Sequence, residues 1–225
     1  ARRRYVRNLG EREATRIEAA RIIGGPFDTP ADLAFRTGLD VDSLEGLAAS
    51  GALDSIGLGR REGMWAAGAL AEIDPGRLPL SPGTEAPELP GMSDEEAHRA
   101  DLWSTGVSPR HPMSFVREDL EECLTAAEAL AMQRNGARVK VAGVITNRQR
   151  PGTAKGVHFL NLEDETELLN IVVLPDVWAE HRQVVRKCPA LIIDGRLEFH
   201  DGVTNIVARG FEPLGVQTVK SRDFR

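Results

Sequence analysis

The feature that most constrains this chain is a change of period near residue 138. Upstream, apolar residues recur at helical spacing and are broken by glycine and proline. Downstream they tend to alternate. Val139, Val141 and the run Gly143-Val144-Ile145 predict a first strand, residues 156–162 a second, and residues 168–174 a third with Asn170 as its polar interruption. Residues 176–186 return to helical spacing through Val177, Trp178, His181, Val184 and Val185. Residues 190–199 and 203–211 predict two further strands around His200-Asp201-Gly202, a hairpin turn with glycine where a positive φ is wanted.

Three strands, a helix and two strands is the order of the five-stranded oligonucleotide-binding (OB) barrel. Its first hairpin spans residues 148–165, RQRPGTAKGVHFLNLEDE. The loop carries Arg148, Arg150 and Lys155, punctuated by Pro151, Gly152 and Gly156. If Leu160 and Leu162 face the core, Phe159 and Asn161 face outward. Arg148, Arg150, Lys155, Phe159 and Asn161 are therefore the candidate barrel site, with cations for phosphates and an aromatic ring on which a base can stack. Aromatic residues make up only 5% of the chain, which argues against a continuous stacking platform and for binding dominated by charge. Trp178 has the spacing of a core residue, and Trp65 and Trp103 are expected to pack as well.

The upstream part reads as short helices. A first helix, through Ala14, Ile17, Ala20 and Ile22, ends at Gly24-Gly25-Pro26. Thr29-Pro30 starts a second, Asp42 is positioned to cap a third, and a fourth covers residues 60–72. Before the first helix, Asn8-Leu9-Gly10 resembles the turn of a helix-hairpin-helix, in which backbone N–H groups at a helix N-terminus hold a phosphate without reading sequence. Arg7 and Arg12 flank it, and Asn tolerates left-handed backbone. Gly57-Leu58-Gly59, followed by Arg60 and Arg61, is a second turn of this kind. The expected organisation is α+β and multidomain: an all-α tandem helix-hairpin-helix region (1–73), a Pro-rich and helical connector (74–137), a five-stranded OB-fold β-barrel (138–214) and a tail (215–225). In the connector, Ser93-Asp94-Glu95-Glu96 predicts a capping box for a helix through Trp103.

The formal charge of −6 runs against the basic footprint of nucleic-acid binders, but it is unevenly spread. Residues 1–27 hold seven arginines against three glutamates, and the acidity is concentrated in residues 28–122. Two cysteines without neighbours at metal-ligand spacing indicate a reduced, cytoplasmic protein without structural zinc. No apolar run approaches a membrane span, and no signal peptide opens the chain. Asp40-Val41-Asp42 has the spacing of a two-metal carboxylate pair, yet Asp before a helix is expected as a cap, and Glu163-Asp164-Glu165 reads as a turn. No catalytic residue, metal ligand or cofactor is expected within these residues. The abrupt start, Ala1-Arg2-Arg3-Arg4, suggests a part of something longer.

The runs RQRPGTAKGVHFLNLEDE, LLNIVVLPDVWAEHRQVV and Ser221-Arg222-Asp223-Phe224 resemble the C-terminal end of the bacterial error-prone, translesion DNA polymerases of the C family. YVRNLGEREATRIEAARIIGGPF, LAASGALDSIGLGRREGMWAAGAL and HPMSFVREDL are similar to the same proteins. The resemblance implies helical hairpins that bind duplex behind the active site and a barrel near single-stranded template. It places the polymerase carboxylates, and the Mg they use, outside these residues, and the stop after the barrel favours the error-prone over the replicative branch. It also implies a role in damage-induced (SOS) mutagenesis, with accessory mutagenesis proteins as partners and the sliding clamp reached through them, since no clamp motif of the Gln-Leu-x-Leu-Phe kind appears. The alternative is a protein-docking module with little DNA binding of its own, in which the acidic connector and the tail make the contact.

Overall fold

The computed structural model describes residues 5–73, 86–200, 202–216 and 222–223. They form two compact units, Ala1–Ser108 and Pro109–Arg225. The stretch expected as a connector is divided between them.

The first unit is helical: α1 (Glu11–Gly24), α2 (Pro30–Thr37), α3 (Val41–Ala49), α4 (Arg60–Ala71) and α5 (Asp94–Ser104). Each start has a local cause. Thr29 accepts the Asp32 N–H at 3.1 Å ahead of Pro30, and Ser93 and Glu96 form the expected capping box. The third helix begins two residues earlier than expected, because Asp40, not Asp42, caps it by accepting the Ser43 N–H at 2.9 Å. Leu33, Leu39, Leu44, Leu47, Leu53 and Leu70 form the core with small residues of α3 and α4. Full burial of a leucine such as Leu44 or Leu70 contributes about 1.5–3 kcal/mol. The small residues let α3 and α4 approach closely, with Gly63 set against the Ala48 methyl. By contrast α1 buries no residue fully.

The second unit is a closed barrel. Its strands are β1 (Arg138–Gln149), β2 (His158–Glu163), β3 (Leu168–Val173), β4 (Ala190–His200) and β5 (Val203–Pro213). They pair in the order β1-β2-β3-β5-β4-β1, all antiparallel except β3 with β5. Helix α6 (Ala126–Ala131) precedes the barrel, and α7 (Pro175–Lys187) is inserted between β3 and β4. Inward side chains such as Val141, Ile145, Leu160, Leu162, Ile171, Ile193, Leu197 and Ile206 fill the interior, and Val185 with Val177, Trp178 and Val184 lays α7 against it. Trp178 thus packs as expected, whereas Trp65 and Trp103 stay 51% and 39% exposed. The bonded turns at Pro112–Phe115 and Arg117–Leu120 carry Met113 and Leu120 onto Ala142, Val144 and Ala190, covering the outside of β1 where it pairs with β4. The outward side of β2, β3 and β5 has no such cover in this cluster. Arg222–Asp223 pairs in parallel with β1 at Asn147 and Arg148. Arg2, Arg3, Arg4, Asp201 and most of the expected tail lie outside the described residues.

Candidate nucleic-acid interface

Strand parity places the barrel side chains. In β2, His158, Leu160 and Leu162 are buried, while Phe159 is 36% exposed and Asn161 partly so. Ile145 pairs with Leu162, but after a bulge Asn147 pairs with Asn161, Arg148 with Leu160 and Gln149 with Phe159. The extra residue reverses the parity of β1. Asn147 and Gln149 turn outward, and Arg148 turns to the side of Leu160. There its guanidinium donates to the carbonyls of Val185 at 2.8 Å and Cys188 at 2.7 Å, at the carboxyl end of α7. Arg148 therefore departs from the expected set of DNA-facing cations: its side chain is engaged in holding a helix end.

Arg150 and Lys155 are exposed on the loop between β1 and β2. The loop is shaped by left-handed backbone at Lys155 (φ 48°) and Gly156 (φ 89°). Its far end is anchored by His158, whose ring stacks on Trp178 with centroids 3.6 Å apart and planes 10° from parallel. Burial, and then the Arg150 charge, push the His158 imidazole below its ordinary pKa, against the opposing effect of the Gly156 carbonyl. Phe159, Asn161, Arg150 and Lys155 are thus brought to one loop and one outward strand face. Sequence reasoning missed Asn147, Asn205 and Arg196 on the same face; Asn170 had been noted only as an interruption.

In the first hairpin Asn8 adopts left-handed backbone, φ 61°. Leu9 packs on the helical core, and Gly10 starts α1. The turn is pinned from both sides: Ser43 Oγ donates to the Asn8 carbonyl at 3.1 Å, and the Arg7 N–H donates to the Ser104 carbonyl at 2.6 Å. Arg7 lays its guanidinium over the Trp103 ring at 4.8 Å, and Arg12 is exposed. The Gly10 N–H expected to face a phosphate donates instead to Glu13 Oε2 at 2.9 Å. A carboxylate already sits where the anion was expected.

The second hairpin repeats the pattern, with Gly57 at φ 83°, Leu58 against the core and Gly59 starting α4. Its cations are engaged by α5. Arg60 pairs with Asp101 at 2.7 Å and donates to the Ala49 carbonyl at 3.1 Å, and Arg61 pairs with Glu96 at 2.9 Å. Arg60 and Arg61 were expected at a phosphate; here they tie α4 to its neighbours.

The acidic turn after β2 is also structural. Asp164 is 4% exposed and accepts from the N–H groups of Ala126, Thr166 and Glu167 and from Thr166 Oγ1. Arg117 pairs with it at 3.0 Å and with Glu165 at 2.5 Å. So HPMSFVREDL and NLEDE, far apart in sequence, meet in one ion cluster. The carboxylates weighed for a metal do not fit one: Asp40 caps α3, and Asp164 is saturated by protein donors.

Two family models match, a helix-hairpin-helix motif over residues 4–63 and an OB-fold nucleic acid binding domain over residues 139–214. The error-prone DNA polymerase of Mycobacterium tuberculosis is 45% identical over 98% of this chain, and that of Nocardia farcinica 41% over 98%. The chain spans only 20% of the length of each. The solved asparaginyl-tRNA synthetase of Pyrococcus horikoshii, complexed with asparaginyl-adenylate, reaches a TM-score of 0.38 at 20% identity, over 44% of this chain and 24% of that one, a likeness too slight to carry an argument. Among the described residues no helix is long and apolar enough to cross a membrane. A helix-hairpin-helix region, a closed five-stranded OB barrel and identity along nearly the whole chain make it a relative of the error-prone DNA polymerases over their C-terminal region.

Proposed function

We propose that the chain is a DNA-gripping region of an error-prone DNA polymerase acting in damage-induced mutagenesis and translesion synthesis. In this reading the barrel holds single-stranded template and the first hairpin, with exposed Arg12, lies against duplex phosphates. Polymerase chemistry, with its Mg, belongs to other parts of such an enzyme. The observation that carries the reading is the exposed pair Arg150 and Lys155 beside outward Phe159. Cations that track a backbone and an aromatic that stacks a base are the two components of sequence-tolerant single-strand binding. The test is a titration of labelled single-stranded DNA with the 225-residue chain and with Arg150→Gln/Lys155→Gln at several salt concentrations. Weaker, less salt-dependent binding by the variant supports the reading; no binding at low salt by the parent chain overturns it.

One observation favours a second reading, docking of an accessory mutagenesis protein that brings the sliding clamp. Ile22 and Ile23 on α1 are 77% and 88% exposed. Their replacement by serine would abolish capture of such a partner and leave DNA binding intact.

A further inference from the structure

Strand register lines up four asparagine side chains across the outside of the barrel. Asn147 pairs with Asn161 between β1 and β2, Asn161 with Asn170 between β2 and β3, and Asn170 with Asn205 between β3 and β5. Paired residues project to the same side of a sheet. Their neighbours Leu160, Leu162, Leu169, Ile171 and Ile206 are buried, so the amides of Asn161, Asn170 and Asn205 stand outside. Glu198, exposed and paired with Asn205, ends the row on β4. A parallel row lies two residues, roughly 7 Å, along the strands. It runs Gln149, Phe159, Val172, Val207, Arg196 and presents an apolar floor that ends in a cation.

Asparagine is depleted in strands, where valine, isoleucine or threonine fits better. Four in register on adjacent strands form a local conflict of the kind that concentrates at functional sites. Their mutual bonding accounts for little of it: Asn161 Nδ2 donates to Asn170 Oδ1 at 3.3 Å, and Asn147 Oδ1 is buried without a partner among the described residues. Each amide offers two donors and a carbonyl acceptor. A phosphate, which only accepts, would meet that carbonyl and the Glu198 carboxylate as repulsion. A base edge, with donors and acceptors side by side, matches both.

The geometry points to a base-reading row: a single strand lies with its bases toward the sheet, and Asn161, Asn170 and Asn205, ending in Glu198, bond their edges. This rests on the single-strand binding proposed above. Asparagine can bond either kind of edge, but Glu198 only accepts, so the row favours bases that carry an exocyclic amino group, cytosine, adenine and guanine, over thymine, whose edge offers a single ring N–H between two carbonyls. Cytosine and thymine are compared most cleanly, since their rings are the same size.

The experiment measures affinities of the full chain for (dC)12 and (dT)12 at one salt concentration, with Asn161→Val/Asn170→Val and Glu198→Gln alongside. The parent chain is expected to prefer (dC)12 by roughly 5- to 10-fold, as one good edge contact allows. Glu198→Gln is expected to bring that ratio close to one, and Asn161→Val/Asn170→Val to weaken both complexes, neither variant lowering the melting temperature, valine being the better strand residue and glutamine the same shape as glutamate. A parent ratio near one, a preference that survives Glu198→Gln, or affinities that Asn161→Val/Asn170→Val leaves unchanged overturn the inference even while Arg150 and Lys155 still govern binding. Failure of the parent chain to bind either oligonucleotide overturns it together with the reading on which it rests.

Discussion

Arg148 donates to the Val185 and Cys188 carbonyls at the carboxyl end of α7, where a cation also meets the helix dipole favourably. Arg148→Gln is therefore expected to lower stability by about 1.5–3 kcal/mol, the worth of hydrogen bonds to a charged group. It should leave the salt dependence of DNA binding unchanged, with denaturant melts and titrations run on the same preparation. Arg150, two residues on, is exposed, and its replacement should do the reverse. Asp164 makes a second prediction at this scale. Burial pushes its carboxyl pKa up, but the bonds from Thr166, Ala126 and Glu167 outweigh that and hold it below the ordinary range. Being depressed in the folded state, it contributes stability that is complete above the ordinary carboxylate range and is lost as pH falls through the depressed value. Asp164→Ala is expected to cost about 3–5 kcal/mol, because it leaves the Ala126, Thr166 and Glu167 N–H groups without their acceptor and removes one of the two carboxylates that pair with Arg117. Asp164→Asn should flatten the acid limb of stability measured between neutral and strongly acid pH.

At the scale of elements, Gly46 shows how a helix fixes the first hairpin. Any Cβ there would run into the Arg7 carbonyl oxygen, so α3 admits the incoming chain only with glycine at this point. Gly46→Ala is expected to destabilise the helical unit by about 1–3 kcal/mol, read by denaturant unfolding. The order of strands and α7, and the outward Phe159, were legible because alternation and helical spacing are local properties of sequence. The bulge between Ile145 and Asn147 was not legible. Counted straight from Val141 and Ile145, alternation turns Arg148 outward and Asn147 inward, and a single extra residue inverts both. The ion pairs of Arg60 and Arg61 were not legible for a related reason: their partners, Asp101 and Glu96, lie on α5, far along the chain.

For the molecule as a whole, a net charge of −6 means that binding of a polyanion has to be local and sensitive to salt. Arg117 with Asp164 and Glu165, and Met113 with Ala142 and Val144, fasten the segment before the barrel to it. The motifs that carried the family resemblance are thus partly architectural, and the binding residues are a smaller set beside them. Phe159→Ala is expected to weaken single-strand binding by about 1–3 kcal/mol, and duplex binding less, in parallel titrations. The most direct measurement is the slope of log affinity against log salt for single-stranded DNA, in the parent chain and in Arg150→Gln/Lys155→Gln. Two lost phosphate contacts should make the slope shallower by about 1.4, at roughly 0.7 for each contact on a single strand. An unchanged slope and affinity would contradict the assignment of the barrel loop as the DNA contact.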